Sequence, residues 1–145
     1  MNITKNKKKV LEFIKNKNLG VLSTINKFGN PESAVVAFSE TEDLQIIFGT
    51  FNTTRKYSNL QLNQTISFVI GWDEGENVTV QYEGIVREVT DLEFQECRDI
   101  QLKKNPSSKT YAFEKQQRYF KITPIWIRYS DLSKEPEEIF EISFE

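Results

Sequence analysis

Hydrophobic residues near the N-terminus follow a helical spacing among lysines and asparagines. One helical stripe comprises Val10, Leu11, Phe13 and Ile14. Three- and four-residue spacing of this kind is typical of an amphipathic helix that packs on a sheet. Because a polar residue and a glycine follow at Asn18 and Gly20, the pattern predicts an N-terminal helix within residues 1–18.

After this helix the pattern changes to short apolar or β-branched segments separated by turn residues. The six segments span residues 20–25, 34–39, 44–48, 66–72, 78–89 and 118–129. Gly84 within the fifth segment predicts a β-bulge, and Pro124, which lacks an N–H donor, predicts an edge or bulge in the sixth. Six closely spaced strands predict a mainly β protein built on an antiparallel barrel.

Two further helices interrupt these strands. One begins near Arg55, after the third strand. The other begins at Thr90, because residues 90–93 have the Thr-x-x-Glu spacing of a capping box, in which both side chains bind backbone N–H groups. It should run to about Lys104. Residues 131–145 are acidic and predict a solvated tail, and the length of 145 residues fits one domain.

Composition excludes several classes of function. The chain has no histidine and one cysteine, Cys97, so it offers no Cys/His zinc site, no Ser-His-Asp triad and no intramolecular disulfide. A net charge of −2 does not favour nucleic acid as a partner. Without a long apolar run or a secretory signal, the expectation is a cytoplasmic protein with no membrane partner.

The turn after the third strand carries the most suggestive chemistry. Thr53 and Thr54 supply hydroxyls, and Arg55 and Lys56 supply adjacent positive charges where a helix begins. Backbone N–H groups, the helix dipole and side-chain charge can converge there on one phosphate. An ordinary capped helix with solvated cations explains the same residues. The residues alone leave both interpretations open.

The order of these elements resembles that of the FMN-binding split barrels of the pyridoxamine 5'-phosphate oxidase-like family. The motifs that carry the resemblance lie at residues 19–24, 28–31, 48–50, 54–60, 82–86 and 120–129, nearly the whole chain. The resemblance implies a six-stranded antiparallel Greek-key split barrel of the FMN-binding type. It also implies a homodimer with two flavin sites at the subunit interface.

The resemblance further implies FMN as the cofactor and a set of residues that bind it. Arg55 and Lys56 would bind the FMN phosphate, while Thr50 and Thr54 would offer hydroxyls to the phosphate or the ribityl chain. Backbone of the second and third strands would face the flavin ring. The residues concerned there are Val36, Ala37, Phe38, Phe48 and Gly49.

Two more residues are implied on other strands. Gln81 matches a position from which this family reaches the flavin, and Trp126 matches one at which the second subunit closes the site. A solvent-facing strand residue and a core aromatic are the alternative interpretations of these two side chains.

Departures from the family bear on the substrate. Pyridoxamine 5'-phosphate oxidases carry an Arg-x-His element near the C-terminus, and this chain has no histidine. Residues 35–38 also lack the lysine expected there. Oxidation of vitamin B6 and ligation of heme iron are therefore not expected, and no catalytic residue is assigned.

Three functions remain open from the sequence. The first is an FMN-dependent oxidoreductase that passes electrons from a reduced nicotinamide or similar donor to a small acceptor. The second is a non-catalytic protein of the same fold that binds or senses a flavin or another phosphorylated ligand. The third, which the net negative charge disfavours, is a barrel that binds single-stranded nucleic acid through Arg55, Lys56 and exposed aromatic residues. The sequence does not separate FMN from a deazaflavin.

Overall fold

One curled antiparallel sheet carries most of the chain in the computed structural model, which describes residues 3–71 and 73–145. The helices are α1 Ile3–Lys15, α2 Arg55–Leu62, α3 Asp91–Lys104 and α4 Lys109–Ala112, with a 3-10 turn at Pro106–Ser108. The strands are β1 Leu19–Ile25, β2 Pro31–Ala37, β3 Ser39–Glu40, β4 Ile46–Phe51, β5 Thr65–Ile70, β6 Val78–Glu88, β7 Gln117–Asp131 and β8 Glu138–Ser143.

The strand order is β2-β1-β5-β6-β7-β4-β3, and β8 pairs with β7. Strand β7 is long enough to serve two partners on one side, because residues 117–122 pair with β4 and residues 126–131 pair with β8. The sheet curls until β2 comes close to β4. The prediction of a mainly β antiparallel barrel is confirmed, with eight strands among the described residues instead of the six predicted.

The bulge predicted at Gly84 is present. The register of β6 against β7 shifts between Glu83 and Gly84, where Ile125 has no partner residue on β6. A Cβ atom at Gly84 would lie 2.6 Å from both Ile122 Cγ2 and the Thr123 carbonyl oxygen. Only glycine allows this close approach of the two strands, which bends β7 between its two partners.

The core lies inside the curl of the sheet. Val80, Tyr82 and Val86 alternate inward along β6, and Val10 and Ile14 of α1 close one end. The buried Tyr82 hydroxyl donates to the carbonyl oxygens of Leu44 at 2.7 Å and Ile122 at 3.2 Å. Burial raises the pKa of Tyr82, so its hydroxyl keeps the proton that both contacts need.

Some strand boundaries differ from the prediction. The third predicted strand begins at Ile46 because Leu44 has φ 64°, a left-handed turn conformation. It also continues to Phe51, and β2 begins earlier, at Pro31. The predicted end of the 66–72 strand falls on Trp72, which lies outside the described residues.

The predicted solvated tail is wrong for residues 138–143, which form β8. Phe140 and Ile142 are buried, and the Phe140 ring stacks on Tyr129 at 4.9 Å between centroids. Lys9 of α1 contacts Glu138 at 2.6 Å. The acidic composition of this segment masked an alternation of apolar residues that is typical of a half-buried strand.

Helix α3 has the predicted bounds, but the capping box does not form. Thr90 makes no side-chain cap hydrogen bond. The Glu93 carboxylate instead accepts from both terminal nitrogens of Arg87, at 2.7 and 2.6 Å, and from Lys121 at 3.2 Å. These hydrogen bonds, those from Arg87 first, lower the pKa of Glu93 to about 2. Glu93 therefore ties the helix to β6 and β7.

A buried amide network connects α3 to the end of β2. It consists of the buried side chains of Ser39, Gln101 and Asn105, and the exposed residue Asn18 donates to it from the surface. Gln101 Nε2 donates to the Ala37 carbonyl at 3.0 Å, and Gln101 Oε1 accepts from the Ser39 hydroxyl at 2.8 Å. Asn105 Nδ2 donates to the Phe38 carbonyl at 2.8 Å and Asn105 Oδ1 accepts from Asn18 at 2.9 Å. Side chains thus satisfy backbone groups that a neighbouring strand would otherwise satisfy.

The depressed pKa of Glu93 predicts a defined acid sensitivity. A carboxylate with a lowered folded-state pKa contributes stability above its unfolded value of 4.5, and that contribution is lost as the pH falls toward about 2. Glu93→Gln should therefore reduce the free energy of unfolding by about 1 kcal/mol at pH 7, the scale of an accessible ion pair. Urea titrations at pH 7, 4.5 and 2.5 should show that the difference in unfolding free energy between the variant and wild type becomes smaller as the pH falls. A constant difference would contradict the role of the Glu93 charge.

The buried amide network predicts a larger effect at neutral pH. Gln101→Leu leaves the Ala37 carbonyl and the Ser39 hydroxyl without their partner, which should cost about 2 to 3 kcal/mol of unfolding free energy. Gln95→Leu is the matched control, because Gln95 is exposed on the same helix. Denaturant titrations compare the two variants. Equal stability of the two would show that the network does not support the fold.

Candidate functional site

A cleft of about 410 Å³ lies between β2 and β4. Its near walls come from the two strands and the start of α2, and its far wall comes from α3, the 3-10 turn, α4 and the start of β7. The lining residues are Val35, Val36, Ala37, Gly49, Thr50, Phe51, Thr54, Lys56, Gln101, Ser107, Ser108, Tyr111, Gln117 and Tyr119.

Two open strand edges border this cleft. Strand β2 ends the sheet and pairs only with β1 among the described strands. Residues 48–51 of β4 pair with β7 on one side, while β3 reaches only Ile46 and Ile47 on the other. Because backbone groups alternate in direction along a strand, both edges present N–H donors and C=O acceptors to a ligand.

The N-terminus of α2 forms one end of the cleft. Thr54, one of the two threonines at the predicted helix start, is the N-cap, and its hydroxyl oxygen accepts from the Tyr57 N–H at 3.3 Å. The hydroxyl oxygens of Thr50 and Thr54 lie 2.9 Å apart. The Thr54 hydroxyl also donates to the Phe51 carbonyl at 3.1 Å. These contacts fix two hydroxyls beside the positive end of the helix dipole.

Lys56 and Arg55 occupy different positions. Lys56 is half-buried, and its ammonium group has no hydrogen bond or ion pair with residues 3–71 or 73–145. Burial lowers the pKa of Lys56. It lines both the cleft and a smaller adjoining recess of about 120 Å³. Arg55 lines only the recess; its side chain is 78% exposed, and its Nη1 lies 3.4 Å from Glu32 Oε2.

The aromatic rings of Phe38 and Phe48 point away from the cleft into the core. Phe38 packs edge-on against Phe68 at 5.7 Å, and Phe48 stacks on Phe120 at 5.2 Å. The backbone N–H of Phe38 donates to the Asn18 carbonyl at 3.0 Å, and its carbonyl accepts from Asn105. Phe38 therefore has neither a side chain nor a free backbone group to offer a ligand in this cleft.

Gln81 and Trp126 lie apart from the cleft within one chain. Both line a separate hollow of about 380 Å³ on the outer face of the sheet, where Gln81 is exposed. Trp126 Nε1 donates to Glu141 Oε1 at 3.0 Å. The structure thus brings together six of the predicted residues at the cleft: Val36, Ala37, Gly49, Thr50, Thr54 and Lys56.

Sequence reasoning missed the far wall of the cleft. Ser107 and Ser108 follow the end of α3, and they look from sequence like a helix stop alone. Tyr111 is 55% exposed and packs edge-on against Phe51 at 5.7 Å. Gly49 leaves room for a cross-strand side chain of this wall, because a Cβ atom there would lie 2.3 Å from Gln117 Nε2, but only the folded structure shows this contact.

The arrangement suits a phosphorylated ligand with an apolar or planar body. The cleft combines a cation that has no partner within residues 3–71 and 73–145, and two hydroxyls, at one end with apolar side chains and open backbone edges along its length. Within the part of the chain that the structure describes, no group of three or more His, Cys, Asp or Glu residues could hold a metal ion. None of the described helices is long and apolar enough to span a membrane.

Comparisons with known structures agree on the fold. A heme binding protein from Mycobacterium smegmatis superposes with a TM-score of 0.82 at 14% identity, over 94% of this chain and 57% of that one. ChuZ from Campylobacter jejuni superposes with a TM-score of 0.82 at 16% identity, over 99% and 61%. This chain therefore spans about three fifths of the length of those two proteins.

A third structure is of similar size. A putative pyridoxamine 5'-phosphate oxidase from Listeria innocua has a TM-score of 0.71 at 20% identity, with 86% of this chain and 97% of that chain covered. At these identities the likeness concerns the fold.

No curated protein matches the sequence. Residues 7–131, however, match the family described as pyridoxamine 5'-phosphate oxidase. Since this match covers most of the chain, the protein belongs to the pyridoxamine 5'-phosphate oxidase-like split-barrel family.

Proposed function

We propose that this protein is an FMN-binding flavoprotein and an FMN-dependent oxidoreductase that acts on a small substrate. The observation that carries the proposal is the half-buried Lys56, which has no partner among the described residues and lies at the capped start of α2 inside the cleft. A cation without a partner, beside two hydroxyls and a helix N-terminus, favours a bound phosphate.

The rest of the cleft is suited to the flavin. Its volume of about 410 Å³ falls within the range of small-molecule sites. Val36 and Ala37 offer apolar contacts on one side, and the open edges of β2 and β4 offer donors and acceptors for the heteroatoms of the ring. Phosphate binding at Lys56 would place binding energy away from the redox centre, and the bound FMN would supply the electron-transfer chemistry.

We further propose a homodimer with the cofactor at the subunit interface. Gln81 and Trp126 lie on the outer face of the sheet, so they can reach a flavin only in the cleft of a second copy. Family membership supports this arrangement. A reduced nicotinamide as the electron donor and a cytoplasmic location complete the proposal.

A non-catalytic flavin-binding or sensor role is the second candidate. The side chains that line the cleft include no carboxylate, imidazole or thiol, so none of these groups is available there for proton transfer to a substrate. Anaerobic mixing of the flavin-loaded protein with NADH or NADPH separates the two functions, because only the oxidoreductase should bleach flavin absorbance rapidly.

Heme binding, as in the Mycobacterium smegmatis protein, is not proposed for this chain. The chain has no histidine, so it lacks the commonest axial ligand of heme iron.

The phosphate contact predicts a difference between FMN and riboflavin, which share the ring. Lys56→Met should weaken FMN binding about tenfold or more, because one charge-assisted contact contributes about 1.5 to 3 kcal/mol. Riboflavin affinity should stay within about twofold. Quenching of flavin fluorescence measures both affinities, and Lys103→Met, at an exposed position of α3, is the charge-matched control. Absence of binding to either flavin by wild type would contradict the proposed function.

A further inference from the structure

The recess beside the phosphate end of the cleft contains an acidic residue. It is lined by Glu32, Ser33, Ala34, Arg55 and Lys56, together with Leu22 and Thr24 of β1. Glu32 projects from β2, and its side chain is only 19% exposed. A carboxylate at this position repels an anion that binds beside it.

Two amides fix the Glu32 carboxylate in place. Its Oε2 accepts from Asn26 Nδ2 at 3.0 Å, and its Oε1 accepts from Asn59 Nδ2 at 2.8 Å. Asn59 is itself buried and donates to the Thr24 hydroxyl oxygen at 2.9 Å. The hydrogen bonds from Asn26 and Asn59 lower the pKa of Glu32, which keeps it ionised near neutral pH. Moving this carboxylate aside would break both contacts.

Glu32 also forms an ion pair with one of the two cations of the recess. Arg55 Nη1 lies 3.4 Å from Glu32 Oε2, whereas Lys56 has no partner among the described residues. The two cations and one carboxylate give the recess a net charge of +1. A phosphomonoester carries nearly two negative charges at pH 7. The recess that adjoins the proposed phosphate position thus carries less positive charge than a phosphomonoester carries negative charge.

We propose that Glu32 is a specificity-determining residue that limits phosphate affinity by pairing with Arg55 and by repelling the phosphate dianion. This inference rests on the proposed function, since it concerns the same phosphate site. Lys56 is then the main cation that binds the phosphate. Arg55 contributes to phosphate binding only to the extent that its ion pair with Glu32 is broken. Glu32 does not change the affinity for ligands without a phosphate. It therefore lowers the ratio of FMN affinity to riboflavin affinity.

The test measures FMN and riboflavin affinities of four proteins by fluorescence quenching: wild type, Glu32→Gln, Arg55→Ala and the double variant. Glu32→Gln should tighten FMN binding about threefold to tenfold, as expected for removing one like charge from a partly screened site. Riboflavin affinity should change less than twofold. Arg55→Ala should weaken FMN binding more in the Glu32→Gln background than in wild type, because Arg55 is free there.

Glu42→Gln is the control for net charge, since Glu42 is an exposed carboxylate paired with Lys15 at 3.2 Å. Unchanged or weaker FMN binding by folded Glu32→Gln, or an equal change for riboflavin, would overturn the inference. If Glu32→Gln lowers the melting temperature markedly, Arg55→Ala decides: it should cost less FMN affinity than Lys56→Met, and a larger loss overturns the inference. Wild type that binds neither flavin overturns the proposed function itself.

Discussion

Backbone carbonyls at the end of β2 accept hydrogen bonds from amide side chains at the C-terminal end of α3 instead of from a neighbouring strand. The split barrel depends on these side-chain hydrogen bonds. Gln101 of α3 donates to the Ala37 carbonyl, and Asn105, the residue that caps the end of α3, donates to the Phe38 carbonyl, where a continuous barrel would have another strand. A buried carbonyl without a partner costs about 1 to 3 kcal/mol, so these amides are required once the strands diverge. The amides satisfy β2 only at this end, and the rest of its open edge faces β4 across the cleft.

The cleft lies between the open edges of β2 and β4. Strand edges that would pair in a closed barrel are left with free donors and acceptors, and they border an apolar space. The start of α2 then adds a positive dipole, two linked hydroxyls and Lys56 at one end. The chemistry of the site therefore follows from the topology of the sheet and the position of one short helix.

The two adjacent cations at the start of α2 have different surroundings. Arg55 and Lys56 are neighbours in sequence, yet Arg55 is mostly exposed and faces Glu32, while Lys56 is half-buried and faces the cleft. Adjacent helical residues point about 100° apart, so one of the two can turn inward while the other faces solvent. The two cations consequently differ in their expected contribution to ligand binding.

Features that depend on local chemistry could be predicted from the sequence. The Thr54 cap depends on residues three apart, and the Gly84 bulge depends on a missing side chain within one strand. The extent of α3 likewise follows from local signals.

Features that depend on distant partners could not be predicted. Glu93 has the spacing of a capping residue but is bound by Arg87 and Lys121, which only the folded sheet places beside it. The pairing of Glu32 with Arg55 and the far wall around Tyr111 likewise arise from tertiary contacts. Strand β8 escaped prediction because it lies in an acidic segment and its burial depends on pairing with the distant strand β7.

A crystal structure of the protein grown with saturating FMN would locate the cofactor directly. We expect the phosphate at the start of α2, within hydrogen-bond distance of Lys56, and the flavin ring between the open edges of β2 and β4. We also expect Gln81 and Trp126 of a second copy beside that ring. A flavin bound elsewhere with the cleft empty, or crystals without flavin at saturating concentration, would contradict the proposed site.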